Sequence, residues 1–253
     1  LFQYVIESDT GLKREINEDR VAVAKRSDGL LLAVVADGMG GHNAGDVASD
    51  MTVKSLIEQF SEEQGAELKT AEQQRSWLSE HVRRINREVF EYSEKTPGCK
   101  GMGTTLIAAM IDHGNCIMCH IGDSRAYLIG FEGLAVPLTR DHSYVNVLVD
   151  SGEISQEEAE MHPKKNWIVK ALGTEPSIDE ELIQFAIPRD SYFLICTDGL
   201  TNKVEDTEIA ELVTSEMALT EKGHTLVGLA NERGGEDNIS LVLLSSKIEE
   251  GNP

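Results

Sequence analysis

Val21-Ala22-Val23-Ala24-Lys25 and Leu30-Leu31-Leu32-Ala33-Val34-Val35-Ala36 flank Ser27-Asp28-Gly29, and the second run leads straight into Asp37-Gly38. Two β-type runs joined by a short glycine-bearing turn read as a hairpin, and a hairpin makes an antiparallel pair. The pattern recurs: Thr105–Ile111 and Cys116–Ile121 flank His113-Gly114-Asn115, and Ala126–Phe131 and Leu134–Leu138 flank Glu132-Gly133. A doubly wound parallel sheet would need a helix between successive strands. Antiparallel sheets are therefore expected.

Helical periodicity comes in separate blocks. After Gly40-Gly41-His42, with Asn43 as candidate N-cap, Ala44, Val47, Ala48 and Met51 form one stripe; Val53, Leu56, Ile57 and Phe60 form another on the opposite side. That helix is expected to bend or to be covered on two sides. Thr70–Glu94 carries Leu78, Val82, Ile85 and Val89 on one face. Two further helices are expected near Thr207–Met217 and His224–Asn231. Residues 141–183 read as short helical pieces and turns, an irregular insertion of the kind that forms a substrate-facing flap. No repeat, linker or low-complexity tract interrupts the chain, so 1–253 is expected to be one domain.

Three apolar runs end on an aspartate with a glycine beside it: Ala36 into Asp37-Gly38, Ile121 into Gly122-Asp123, and Thr197 into Asp198-Gly199. A fourth element reverses the order, with Gly234-Gly235-Glu236-Asp237-Asn238 opening into Ile239–Leu244. One such aspartate is best read as a turn residue. Four of them at strongly apolar strands suit a hard-metal site, which needs pre-positioned oxygen donors from distant parts of the chain. Like charges ~4 Å apart repel by on the order of 4 kcal/mol at an effective dielectric of 20, and divalent cations relieve that cost. Near the N-terminus, Arg14, Glu18 and Asp19 add a guanidinium suited to phosphate and two more carboxylates.

Composition narrows the partners. With 23 basic against 44 acidic residues the formal net charge is −21, a field that repels nucleic acid and anionic membrane surfaces. No apolar run approaches a membrane span and no signal-peptide pattern opens the chain, so a cytoplasmic protein is expected. The chain opens on Leu1, so a start upstream or a processed terminus is expected. Cys116 and Cys119 are spaced as a C-x-x-C, but in a strand they point to opposite faces, so structural free thiols are expected. No G-x-x-x-x-G-K-[ST] loop supports a nucleotide hydrolase.

Arg14…Asn17-Glu18-Asp19, Asp37-Gly38-Met39-Gly40-Gly41, Gly103-Thr104-Thr105, Gly122-Asp123-Ser124-Arg125, Asp141-His142-Ser143, Ala171-Leu172-Gly173, Thr197-Asp198-Gly199-Leu200 and Asp237-Asn238 occur in this order. The set resembles the motifs of the protein phosphatase 2C (PP2C, PPM) family of metal-dependent serine/threonine phosphatases, in its bacterial form. The resemblance implies an α+β fold, an α/β/β/α sandwich of two antiparallel sheets flanked by helices. It implies two Mn2+ or Mg2+ ions per chain: Asp37 bridges both, Asp198 and Asp237 complete the first, and Glu18 and the Gly38 carbonyl serve the second. A third, weaker ion would use Asp123 with Asp198, Asp19 would orient water from the second shell, and Arg14 would hold the substrate phosphate. The implied reaction is direct attack of an activated water on phosphoserine or phosphothreonine, in opposition to a bacterial Ser/Thr kinase, by a monomer acting on phosphorylated proteins. Met39 stands where eukaryotic relatives often carry a histidine assigned as general acid, and methionine has no proton to give. His42, His142 and His162 read as structural or flap residues rather than as its replacement. The rival reading is a catalytically weak, metal-binding regulatory pseudophosphatase.

Overall fold

Each hairpin expected from the turn chemistry forms. In the computed structural model, residues 2–41, 44–62 and 68–246 are described; His42 and Asn43, named above as acid and cap candidates, lie outside them. β2 (Asp19–Lys25) pairs with β3 (Leu31–Met39), β5 (Leu106–Asp112) with β6 (Asn115–Ile121), and β7 (Arg125–Gly130) with β8 (Ala135–Pro137), all antiparallel. One sheet runs β2-β3-β5-β6-β9, where β9 is Glu181–Ala186 and the short β4 (Gly103–Thr104) adds to the end of β3. The other runs β1-β11-β10-β7-β8, with β1 Gln3–Asp9, β10 Ser191–Cys196 and β11 Ile239–Ser245.

The layers follow from strand alternation. In β3, Leu31, Ala33 and Val35 point between the sheets, where they meet Phe193, Ile195, Val242 and Leu244 from β10 and β11. Leu32, Val34 and Ala36 point outward onto α1 (Ala44–Glu62) and α2 (Ala71–Lys95), joining Leu56, Phe60, Leu78, Val82 and Ile85. On the far side Leu194, Leu241 and Leu243 pack against α6 (Asp206–Thr214) and α7 (Leu219–Glu232) through Ile209, Val213 and Leu226. Helices, sheet, sheet and helices thus stack in four layers, the sandwich that the resemblance implied. Burying both faces of β3 and β10 explains why they read as continuous apolar runs rather than alternating ones. Cys116 lies in the inter-sheet layer and Cys119 in the outer one; both are free.

The structure corrects several expectations. The first helix has one broad buried face, not two stripes: Gly45, Ser49 and Thr52 bridge the arc between Ala48 and Val53. Ser49 and Thr52 hide from a hydrophobicity pattern because their hydroxyls are satisfied on backbone carbonyls, Thr52 donating to Ala48 O at 2.8 Å. β3 does not stop at Asp37 but runs two residues further, since Gly38 and Met39 pair with Thr104 and Gly103. Edge strand β1 was not expected, nor was β4, and β9 begins inside the stretch read as helices and turns. β1 and β9 are only partly buried, so neither has the apolar run that marks a central strand. The rest of that stretch holds α3 (Tyr144–Asp150) and α4 (Gln156–Glu160) among turns. Earlier in the chain, α2 starts at an N-cap, Thr70, in a capping box with Gln73.

Candidate active site

Both sheets deliver carboxylates to the same end of the sandwich. β2 and β3 set Asp19 directly across from Asp37. The link from β6 to β7, which crosses from one sheet to the other, carries Asp123; Asp198 opens α5 (Asp198–Thr201) just after β10, and Asp237 precedes β11. Hydrogen bonds stitch the two sheets together here. Thr197 Oγ1 donates to Asp19 Oδ2 at 2.9 Å and accepts from Ser240 N–H at 3.0 Å. Asn238 accepts Glu18 N–H at 2.8 Å and donates from Nδ2 to the Thr10 and Ile16 carbonyls at 2.8 and 2.9 Å. Asp37 is anchored through its backbone: Thr105 Oγ1 accepts its N–H at 2.9 Å, and Thr104 Oγ1 and the Thr105 amide donate to its carbonyl at 2.9 and 2.8 Å.

The electrostatics are those of acids forced together. Burial, then the charges of Asp19, Asp198, Asp123 and Asp237, hold the Asp37 carboxyl well above the usual carboxylate range. Burial raises Asp19 to about 7 and Asp123 to about 8, with Asp198 adding to each. Asp198 is raised by burial and by Asp237, and lies within hydrogen-bonding reach of Asp37. Asp19 Oδ1 and Asp123 Oδ1 are buried with no hydrogen-bond partner. Such oxygens are costly unless something positive meets them. Arg14, half-exposed at the rim, reaches Asp237 Oδ2 at 2.9 Å.

Glu18 and Gly38 form the second half of the site. A Cβ on Gly45 would lie 2.6 Å from Glu18 Oε1 and 2.7 Å from the Gly38 carbonyl oxygen. Only glycine lets both oxygens sit against the first turn of α1, whose amide at Gly45 also bonds Glu18. Burial nevertheless raises the Glu18 pKa. All the residues named from sequence as ligands thus gather at one end of the molecule, and their hard oxygen chemistry fits Mg2+ or Mn2+ better than zinc.

Some contributors were not foreseen. Gly45 carries no signal beyond a glycine in a helix, and Asn238 was noted in a motif without a role. Arg125 forms a two-pronged pair with Asp141 at 2.9 and 2.8 Å, on the wall of a cleft of about 400 Å3 that also touches Asp123, Asp198, Asn202 and Lys165. Among the described residues, His120, His142 and Glu181 bring three donor atoms within 4.8 Å of one another, beside Gly122.

The family described as protein phosphatase 2C matches residues 13–232. The serine/threonine phosphatase stp of Listeria monocytogenes is 40% identical over 241 residues, 95% of this chain and 94% of that one. Protein phosphatase PhpP of Streptococcus pneumoniae is 37% identical over 243 residues, covering 96% and 97%. Among solved structures, the S. agalactiae serine/threonine phosphatase superposes with a TM-score of 0.91 at 36% identity over 97% of this chain and 99% of that one. The catalytic domain of the phosphatase PstP, in complex with 2 manganese ions, does so at 0.82 and 33% over 96% and 97%. The chain belongs to the protein phosphatase 2C family, in its bacterial type, and is a phosphoprotein phosphatase.

Proposed function

We propose that this chain hydrolyses phosphoserine and phosphothreonine in proteins with two divalent cations, Mn2+ or Mg2+, held by the carboxylates at the end of the sandwich. The observation that carries the reading is the pair of buried, unbonded oxygens, Asp19 Oδ1 and Asp123 Oδ1, flanking a strongly raised Asp37. This is a donor set with more negative charge than Arg14 can balance. In this reading Asp37 serves both cations, Asp198 and Asp237 one of them, and Glu18 with the Gly38 carbonyl the other. Asp123 with Asp198 would hold a third, weaker one. When bound, the cations neutralise phosphate charge and acidify a water, making a nucleophile available near neutral pH.

The chain's own groups supply the rest. Arg14, at the rim, would hold the phosphate as a two-pronged donor, beside the Asp237 carboxylate that it meets at 2.9 Å. Asp19, fixed by Thr197, orients water at the floor. Cys116, Cys119 and Cys196 are fully buried and their thiols are pushed upward by that burial, which favours direct attack by water over a phosphorylated cysteine. Met39 donates no proton, so water protonates the leaving serine or threonine oxygen. The stretch 141–183 acts as a flap on a single domain, a reading supported by the lining of the cleft by Ser143, Asn146, Glu160 and Lys165 beside Asp123 and Asp198. Opposition to a Ser/Thr kinase follows from the substrate class.

The test is hydrolysis of phosphoserine, phosphothreonine and phosphotyrosine peptides with Mn2+, Mg2+ or chelator. Serine and threonine peptides should be cleaved only when metal is restored. Turnover that survives exhaustive chelation overturns the reading.

A further inference from the structure

His120, His142 and Glu181 meet beside Gly122, and the proposed reaction uses none of them. His120 is fully buried in β6, and Glu181, at the start of β9, keeps 47% of its side chain exposed. His120 Nδ1 and His142 Nε2 approach the same oxygen, Glu181 Oε2, at 3.6 and 3.5 Å. That spacing is near the edge of a tetrahedral zinc site, about 3.4 Å for ligands at the usual zinc–nitrogen distance. Two details argue against a metal. The imidazole rings stack with centroids 4.7 Å apart and planes only 19° from parallel, so one ion cannot lie in both ring planes. His142 Nδ1 accepts the Gly122 N–H at 3.0 Å, so in the neutral ring Nε2 carries the hydrogen and offers no lone pair.

Hydrogen-bond roles instead assign the protons. The Ser124 carbonyl can only accept, so His120 Nε2 donates to it at 3.1 Å. His120 Nδ1 has no partner within hydrogen-bond range, yet it faces a carboxylate oxygen. The Glu181 carboxyl is held low, first by the His120 ring beside it. His142 stays neutral, burial and the neighbouring His120 pushing it down to about 4.

The neutral His142 ring has a purpose. It grips Gly122 on both polar groups, the His142 amide donating to Gly122 O at 2.8 Å while Nδ1 accepts Gly122 N–H. Gly122 sits at φ +104, where a Cβ would strike Thr105 Cγ2 at 2.6 Å, so this turn needs holding. The next residue is Asp123. We propose that His142 is a positioning residue for Asp123, with Glu181 and His120 keeping its ring in the one tautomer that can accept the Gly122 amide. The inference rests on the reading of Asp123 as part of the metal centre.

Three variants test it: His142→Phe keeps the stacked ring but loses the acceptor, His142→Asn sets an amide oxygen where Nδ1 stood, and Glu181→Gln leaves His142 in place without the charge behind it. Hydrogen exchange of the Gly122 amide in the metal-free protein should rise about tenfold in His142→Phe, stay within about threefold in His142→Asn, and rise about threefold in Glu181→Gln. The weakest Mn2+ affinity, measured by calorimetry, should follow the same order, while turnover at saturating Mn2+ changes less. Nitrogen-15 spectra should find His142 protonated only on Nε2. Equal Gly122 exchange in all three variants, no rescue by asparagine, or an unprotonated His142 Nε2 overturns the proposal. So does stoichiometric Zn2+ binding that shifts both histidines, which would make the cluster a metal site. Exchange that responds while Mn2+ affinity does not breaks the link to Asp123. Absence of Mn2+ binding by the unaltered chain would sink the functional reading instead.

Discussion

Two groups of ionisable side chains lie on either side of Gly122, and they are built on opposite principles. At the end of the sandwich, Asp19, Asp37, Asp123 and Asp198 crowd together until burial and mutual repulsion raise every one of them. In the His120–His142–Glu181 cluster, two imidazoles converge on one carboxylate oxygen and Glu181 is held low. The second group balances itself with protons the chain already owns. The first cannot, and a cluster that cannot balance itself is one shaped for a charge from outside. Here that distinction separates a candidate centre from a support, although the support also brings three donor atoms within 4.8 Å of one another.

The contrast predicts how each region breaks. The largest effect is expected from Asp37→Asn, which should lower phosphopeptide turnover by roughly a thousandfold or more, since it removes the carboxylate proposed above to serve both cations. Steady-state kinetics over a Mn2+ titration checks this, and near-normal turnover would exclude the assignment. Next comes Arg14→Ala, expected to reduce kcat/KM for phosphoserine peptides by roughly tenfold to a hundredfold through lost phosphate contact, with Mn2+ binding retained.

The sharpest form of the comparison uses one chemical change in both places. Asp123→Asn should raise the melting temperature of the metal-free protein at neutral pH by about 3 °C, because it removes a buried carboxyl that folding forces to take up a proton. Glu181→Gln should lower it by about 1–2 °C, a smaller effect because that side chain is half in water. Shifts of the same sign, read by calorimetry in chelator, would erase the distinction.

The last effect is a pH slope. Asp19 and Asp123 titrate in the folded chain at about 7 and about 8, above their unfolded values, so the folded state holds more protons. Stability of the metal-free protein should therefore fall as pH rises from about 6.5 to 8. Below about 6.5 His142 opposes this, since its folded pKa is lowered to about 4 and the unfolded chain then binds the extra proton. Saturating Mn2+ should flatten the upper slope.

How much of this was legible beforehand varied with burial. Central strands β3, β5, β6, β10 and β11 announced themselves because two-sided burial leaves only apolar residues, and glycine-bearing turns announced their pairing. Edge strands β1 and β9 did not, because a half-wet strand tolerates almost any side chain. The polar stripe of α1 was misread for a related reason, its buried hydroxyls being satisfied by backbone carbonyls. In the site, the aspartates were recognisable from glycine beside an apolar run. Gly45 and Asn238 were not, since their value lies wholly in what approaches them.

The amino-acid order alone determined the antiparallel architecture, the family, and the acids that matter, because turns, apolar periodicity and motif order are properties of neighbours along a chain. Which of those acids lie together, which oxygens stay unbonded, and which His142 nitrogen accepts a hydrogen bond were decided only when two sheets packed face to face. Coulomb and hydrogen-bond energies depend on ångström separations between residues as far apart as Asp19 and Thr197, and no local pattern encodes that distance.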